Sequence, residues 1–353
     1  MIILLWGERM GNVSAFWKTN LKVIDDTLKG LKEGRVQELG KSAGKRSIWL
    51  VRYGSGKQKK GQANYCSALA AENAKYYNGG KTMPVLLLVA GEHGGEMEGI
   101  AALMNLINIL ETGFDLRGRA WERIRNFAKE IDILLIPCLN PDGRSRVPFD
   151  CMAGKSLREM RYYMQGTWKD GSLCGWPDCK KVHPVLHAVE HLGAYYNDDG
   201  VNIMVDNVFT PMARETEMLL RLTGEEMPSL TLHLHGGDNC HCMLMPPLYV
   251  TNEAKRQAQC LDRNIADCFR RNGLPYYEFD KTGNDEMETP MPFSVEHAIF
   301  HVCGGLSLVF ESNMGLSEPE TTQYSMDEIL DAHLLLFEEA LKMLTEEMQE
   351  GKR

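Results

Sequence analysis

The sequence predicts an α/β fold built on a mostly parallel sheet. Three observations lead there. Short, continuous apolar runs of strand length recur, of which Val85-Leu86-Leu87-Leu88-Val89-Ala90 is the clearest. Such runs suit strands covered on both faces. Segments with helical spacing of apolar residues alternate with them, and that alternation builds parallel sheets with helical layers. No internal repeat or low-complexity linker interrupts the pattern, so one large domain accounts for the chain.

In chain order, residues 20–32 have helical spacing. Leu21, Ile24, Leu28 and Leu31 line one face, and Gly34 supplies a stop. Residues 47–52 read as a strand, followed by a polar loop over 54–61. The strand at 85–90 leads into a helix over 98–110 that is apolar nearly all round, with Gly113 as its C-terminal stop. A short helix over 121–129 precedes a buried strand at 131–137. Residues 144–200, rich in Gly, Pro, Trp and Cys, read as a long irregular excursion. Then follow a helix at 216–223, a strand at 230–235, a helix at 254–271, a strand at 305–311 and a closing helix at 326–348. In open α/β sheets the reactive groups sit beyond the carboxyl ends of the strands.

The chain has 353 residues, 44% hydrophobic and 25% charged, with a formal net charge of −9. That balance is ordinary for a globular protein. The acidic sign argues against a nucleic-acid partner held by a broad basic footprint. No apolar run approaches the roughly 18–20 residues that span a bilayer, so no membrane association is expected. Met1–Trp6 is apolar but too short for a signal segment, has no basic leader, and is followed at once by Glu8 and Arg9. A cytoplasmic location is expected. Ten cysteines, in such a compartment, are expected to be reduced.

Three strand ends carry chemistry. Gly91-Glu92-His93-Gly94-Gly95-Glu96 follows the strand at 85–90 directly. It sets an imidazole and a carboxylate three residues apart, on one face of a helical turn. Both are ordinary zinc ligands. The motif alone also fits a helix N-terminus with acidic residues favoured by the dipole. Leu232-His233-Leu234-His235-Gly236-Gly237 alternates, so His233 and His235 share a face. His235 ends the strand, and His233 is either a hydrogen-bonded core histidine or a support for the ligands. Glu311 ends the apolar strand Leu306-Ser307-Leu308-Val309-Phe310, where desolvation raises a carboxyl toward the range of a general base. Two nitrogen ligands and one carboxylate leave a fourth tetrahedral position for water, the arrangement of catalytic zinc sites.

These residues, in this order, resemble the zinc carboxypeptidase family. The landmarks are His93-x-x-Glu96 after a strand, Asn140-Pro141-Asp142-Gly143 after a strand, then His235 and Glu311 at strand ends. Leu39-Gly40-Lys41-Ser42, with Arg46 before a strand, resembles the family's domain start. The resemblance spans roughly residues 37–345. It implies a catalytic domain over 37–350, with 1–36 as a helical extension packed on it. It implies a twisted mixed sheet flanked by helices, the phosphorylase/hydrolase-like fold. It further implies one zinc ion, hydrolysis of a peptide or amide bond near a chain end, and Glu311 as the base. An arginine after the Asn-Pro-Asp-Gly landmark is expected to stabilise the oxyanion. Arg144, Arg146, Arg158 and Arg161 qualify, and Arg146 is favoured because it follows closely. The family's mobile substrate-binding tyrosine has no counterpart of matching position; Tyr249 and Tyr277 are alternatives.

The departures are specific. The family's Gly-Val-Asp-Leu-Asn-Arg-Asn-Phe corresponds to Gly200-Val201-Asn202-Ile203-Met204-Val205-Asp206-Asn207. Asn202 then supports the first zinc-binding histidine without a negative charge. Met204 and Val205 replace the Asn-Arg pair that grips a terminal carboxylate, a recognition no apolar residue reproduces. The expectation is a substrate without a free α-carboxylate at that point, or one held by another basic residue such as Arg144. Asp206 is a candidate for favouring a cationic group.

Two rival functions stand beside the peptidase. One is an N-acyl amino acid deacylase resembling the succinylglutamate desuccinylase and aspartoacylase group. The other is a non-catalytic metal-binding protein on the same scaffold. Cys174, Cys179, His183 and His187 are either a second, structural zinc site or a packed loop. Cys240-His241-Cys242 allows a redox or metal role beside the safer reading of buried thiols. Neither a phosphate-binding glycine loop nor a Gly-x-Ser-x-Gly elbow is present.

Overall fold

The computed structural model describes residues 13–55, 70, 83–206, 212–238, 241–279, 293–318, 322 and 324–350. The apolar start at 1–6, positions 56–61 of the polar loop, Asn207 and Cys240 lie outside the described residues. The elements run α1 (Leu21–Leu28), β1 (Arg35–Lys41), β2 (Ser47–Tyr53), β3 (Val85–Ala90), α2 (Met97–Thr112), α3 (Glu122–Phe127), β4 (Asp132–Ile136), α4 (Pro141–Arg146) and α5 (Leu157–Met164). They continue β5 (Gly166–Trp168), β6 (Val189–Leu192), α6 (Arg214–Glu226), β7 (Leu230–Gly237), β8 (Met243–Leu244), α7 (Asn252–Arg271), α8 (Val295–Cys303), β9 (Leu306–Asn313) and α9 (Met326–Glu350).

Seven strands form one mixed sheet in the order β1-β2-β4-β3-β7-β9-β8. Its centre, β4-β3-β7-β9, is parallel, as the apolar runs predict. The edges β1, β2 and β8 pair antiparallel. All six residues of β3 are buried, and the period of two divides them between the faces. Leu86, Leu88 and Ala90 join the core under α2, α7 and α9. Val85, Leu87 and Val89 join a second cluster under α6 and α8. Phe16, Trp17, Ile24 and Leu28 of the N-terminal segment enter the first of these clusters.

Most element limits match the sequence reading to within a few residues. α1 stops at Leu28, short of the Gly34 stop. α2 does end at Gly113, in the left-handed conformation at φ 91°. β1 was not expected, because it is a mostly exposed, polar edge strand with no apolar run. α8 was not expected either. The excursion at 144–200 contains α5, the β5–β6 hairpin and a 3-10 turn at Asp178–Lys180.

Two landmarks of the sequence lock the chain before the site. The buried Asp142 carboxylate accepts from Ser42 Oγ (2.5 Å), Gly44 N (2.7 Å) and Arg46 Nη1 (2.8 Å). Asn140 accepts at Oδ1 from Gly143 N (2.8 Å) and donates Nδ2–H to the Glu92 carbonyl (3.2 Å). Gly91 turns at φ 63°, and a Cβ at Gly94 would collide with the Gly143–Arg144 backbone. The Gly-Glu-His-Gly-Gly-Glu loop is thus held against the Asn-Pro-Asp-Gly turn.

Candidate metal centre

The carboxyl ends of β3, β7 and β9 deliver the predicted residues to one place. His93 and Glu96 lie on the loop from β3 into α2. His235 lies on β7, opposite Glu311 of β9 in parallel register. All four line one cavity of about 470 Å³. One donor atom from each of His93, Glu96 and His235 can be chosen so that the three lie within 4.8 Å of one another. His93 Nδ1 is 2.7 Å from Glu96 Oε1. His235 Nδ1 is 2.8 Å from Glu96 Oε2, yet that oxygen, though buried, has no hydrogen-bond partner. The donor set is two imidazoles and a carboxylate, which fits a zinc ion with an open position.

The remaining ring nitrogens fix the imidazoles. His93 Nε2 is 3.1 Å from Asn202 Oδ1. The His93 ring stacks on Tyr195 with centroids 3.9 Å apart. His235 Nε2 is 2.8 Å from Glu92 Oε2. His233 Nδ1 lies 3.0 Å from both Glu92 oxygens, and its Nε2 is 3.1 Å from Ser307 Oγ. One fully buried carboxylate therefore orients both histidines of β7. Glu92 was missed in the sequence reading. The signal was available: a carboxylate beside a strand end must find partners when buried.

The electrostatics follow from burial and these contacts. Burial pushes the Glu92 carboxyl up, but the charges and hydrogen bonds of His233 and His235 outweigh it and hold it well below the usual range. Burial likewise opposes ionisation of Glu96, but His93 and His235 bring it down to about 2. Burial disfavours a charged His235, yet Glu96 and Glu92 hold its proton well above the usual imidazole range. A divalent ion held by these residues would displace that proton. Glu311 is pushed up to about 7 by burial, with His235 opposing and Glu96 and Asp238 adding.

Other expected residues lie elsewhere. Arg144 is buried and turns away from the cavity: Nη2 donates to Asp150 Oδ1 (2.5 Å), Nε to the Thr19 carbonyl (3.0 Å) and Nη1 to the Val147 carbonyl (3.1 Å). Arg146 bonds Asp198 and the Gly193 and Tyr196 carbonyls. Neither lines the cavity; Arg161 of α5 does, with Lys180. Asp206 is buried and accepts at Oδ2 from Ala213 N (2.8 Å), away from the cavity wall. Met204 and Val205 do line it. Tyr249 and Tyr277 do not. Cys174 and Cys179 are buried free thiols, and His183 Nε2 accepts from Asn202 N (3.1 Å). Among the described residues, His93, Glu96 and His235 are the one group of three or more such side chains whose donor atoms approach this closely. No described helix is long and apolar enough to cross a membrane.

A family model described as zinc carboxypeptidase matches residues 33–259. Among solved structures, a metallo-carboxypeptidase from Burkholderia cenocepacia is similar over 92% of this chain and 68% of its own, at 12% identity and a TM-score of 0.59. A metallo-carboxypeptidase from Pseudomonas aeruginosa is similar over 92% and 68%, at 14% identity and a TM-score of 0.55. Bovine thrombin-activatable fibrinolysis inhibitor is similar over 95% and 100%, at 10% identity and a TM-score of 0.55. At these identities the likeness is one of fold. Among curated proteins, none matches.

Proposed function

The chain belongs to the zinc carboxypeptidase family, and from that premise we propose that it is a metal-dependent hydrolase of a peptide or small amide bond near a chain end. One zinc ion is held by His93, Glu96 and His235. The observation that carries this reading is the convergence of those three donor sets, with Glu311, on one cavity.

Zinc, when bound, supplies a Lewis acid that polarises the scissile carbonyl and acidifies water. Glu311 takes a proton from the attacking water and returns it to the leaving nitrogen. A carboxyl pushed up to about 7 suits both steps, and a divalent charge nearby draws it lower. Arg161, on the cavity wall, offers positive charge to the developing oxyanion, the role the sequence reading had given to Arg146. Asn202, Glu92 and, through Glu92, His233 hold the ligand imidazoles in orientation. Met204 and Val205 present no fork of donors to a terminal carboxylate.

The test is turnover and metal content measured together on purified protein. Short peptides, amidated peptides and N-acyl amino acids form the substrate panel. Chelation is expected to abolish hydrolysis and stoichiometric zinc to restore it. Glu311→Gln is expected to keep its zinc and lose about 10²–10⁴ in kcat. Zinc-replete protein that hydrolyses nothing across the panel would overturn the reading in favour of a binding protein. Exclusive cleavage of N-acyl amino acids would make it a deacylase.

A further inference from the structure

We propose that Tyr195 is a catalytic residue: its hydroxyl donates a hydrogen bond to the oxygen of the scissile carbonyl as that oxygen gains charge, and Gln165 positions the hydroxyl for it. The proposal deepens the hydrolase reading above and rests on it for the reaction.

Local structure brings the ring to the metal centre. Tyr195 follows β6, and its segment is tied by the backbone to two parts of the site. Tyr195 N donates to the Met164 carbonyl at the end of α5 (2.8 Å). The carbonyl of the preceding Ala194 accepts from Gly94 N in the metal loop (2.8 Å). A Cβ at Gly95 would collide with Met164 Sδ, so this glycine lets α5 and the Ala194–Tyr195 segment close on the loop. The Tyr195 ring then lies nearly flat on His93, with an interplanar angle of 10°.

The last turn of α5 completes the patch. Arg161 and Gln165 are four residues apart, at the end of the helix and on its C-terminal cap, so they share a face. Both line the cavity, as does Tyr195. One stretch of wall therefore carries a guanidinium, an amide and a phenol.

The direction of the hydroxyl follows from the groups that act on it. Burial foremost, then Glu96 and more weakly Glu311, hold its proton well above the ordinary tyrosine range, while hydrogen bonding with Gln165 opposes them. The two carboxylates act through charge alone, so the phenol end of the ring is turned toward the candidate metal ligand and the base without giving its proton to either. Gln165 Oε1, though buried, has no donor. Its contact with the phenol therefore runs through the amide N–H, and Tyr195 keeps its own proton to give. A phenol holds that proton at neutral pH in any surroundings, so the role requires no titration.

A fixed donor aimed at charge that develops only in the transition state raises kcat and leaves ground-state binding almost unchanged. Arg161 offers charge from the same stretch of wall, and Tyr195 offers a directed proton. The competing role for Tyr195 is packing, in which the ring steadies His93 and the hydroxyl does nothing.

Tyr195→Phe separates the two, because it keeps the ring and removes the hydroxyl. In the zinc protein its kcat is expected to fall by about 10²–10³, with KM within about threefold of wild type. Zinc affinity and the urea midpoint are expected to stay unchanged. Gln165→Ala is expected to lower kcat by about tenfold alone and to add nothing to Tyr195→Phe. A wild-type kcat in Tyr195→Phe overturns the proposal, as does a fall in kcat matched by a fall in zinc affinity. Additive effects of the two substitutions overturn the part given to Gln165. If no amide is cleaved, the hydrolase reading fails while the donor is still tested. Calorimetry then compares (benzoylamino)methylphosphonate binding to zinc-loaded wild type and Tyr195→Phe, the phosphonate standing in for the charged carbonyl oxygen. A loss of tenfold or more in affinity supports the donor, and equal affinity, or no binding to either protein, refutes it.

Discussion

Replacing Glu92 by Gln tests the support of the metal centre at its most buried point. The carboxylate accepts on one side from His235 Nε2 at 2.8 Å and on the other from His233 Nδ1 at 3.0 Å. A carboxamide of the same shape has one accepting oxygen and one donating nitrogen, so it faces one of the two imidazole N–H groups with another donor. The change removes a charge and leaves a buried donor unmet, a loss of about 1–3 kcal/mol. Groups that orient metal-bound histidines typically carry 10- to 100-fold in affinity, equivalent to about 1.4–2.7 kcal/mol. Zinc affinity of Glu92→Gln, measured by competition with a chromophoric chelator, is therefore expected to fall 10- to 100-fold. Asn202→Asp, which places a charge behind His93 Nε2, is expected to move affinity the other way. Glu92→Gln with zinc affinity within twofold of wild type would show that the carboxylate serves packing and not the metal. A large fall in stability of the metal-free protein with unchanged affinity would show the same.

Two further predictions concern other parts of the molecule. Arg161→Ala is expected to lower kcat by about 10²–10³ with little effect on the urea midpoint, whereas Arg146→Ala is expected to lower the midpoint, because Asp198 loses one of its two ion pairs and the Gly193 and Tyr196 carbonyls lose a donor; the reverse pattern would return the oxyanion role to Arg146. His333 is fully buried, donates Nδ1–H to the Ile329 carbonyl at 2.8 Å, and is held down to about 4 by burial, with that hydrogen bond opposing. The unfolded chain takes up this proton near pH 6.5 and the folded chain only near 4, so stability is present above 6.5 and drains away as pH falls between those values, by on the order of 3 kcal/mol. His333→Leu is expected to flatten that part of the acid limb in urea titrations at pH 7, 5.5 and 4.5, and a limb of unchanged slope would refute it.

The parallel centre of the sheet was legible because strands buried on both faces leave continuous apolar runs, and β3, β4, β7 and β9 all do. β1 left no such trace, since an exposed edge strand buries too little to constrain its residues. The three candidate metal donors were legible as an ordered set, since each lies at or just beyond the carboxyl end of a strand. Arg146 was favoured over Arg161 on nearness in sequence. In the structure α4 sends Arg144 and Arg146 to the carbonyls and carboxylates of residues 147–150 and 193–198, whereas Arg161 of α5 lines the cavity. Glu92 has a different obscurity: its role depends on which groups from distant segments meet a buried carboxylate, and spacing carries no information about that.

The departures from the family pattern remove charges of both signs. Asn202 sets no charge behind His93, whereas Glu92 sets one behind His235, so two buried carboxylates, Glu92 and Glu96, would balance a divalent ion held here. On the leaving-group side, Met204 and Val205 line the cavity, and neither offers a charged donor. Val205→Arg is therefore expected to raise kcat/KM for peptides with a free terminal carboxylate relative to their amides, and an unchanged ratio would show that position 205 does not face the leaving group.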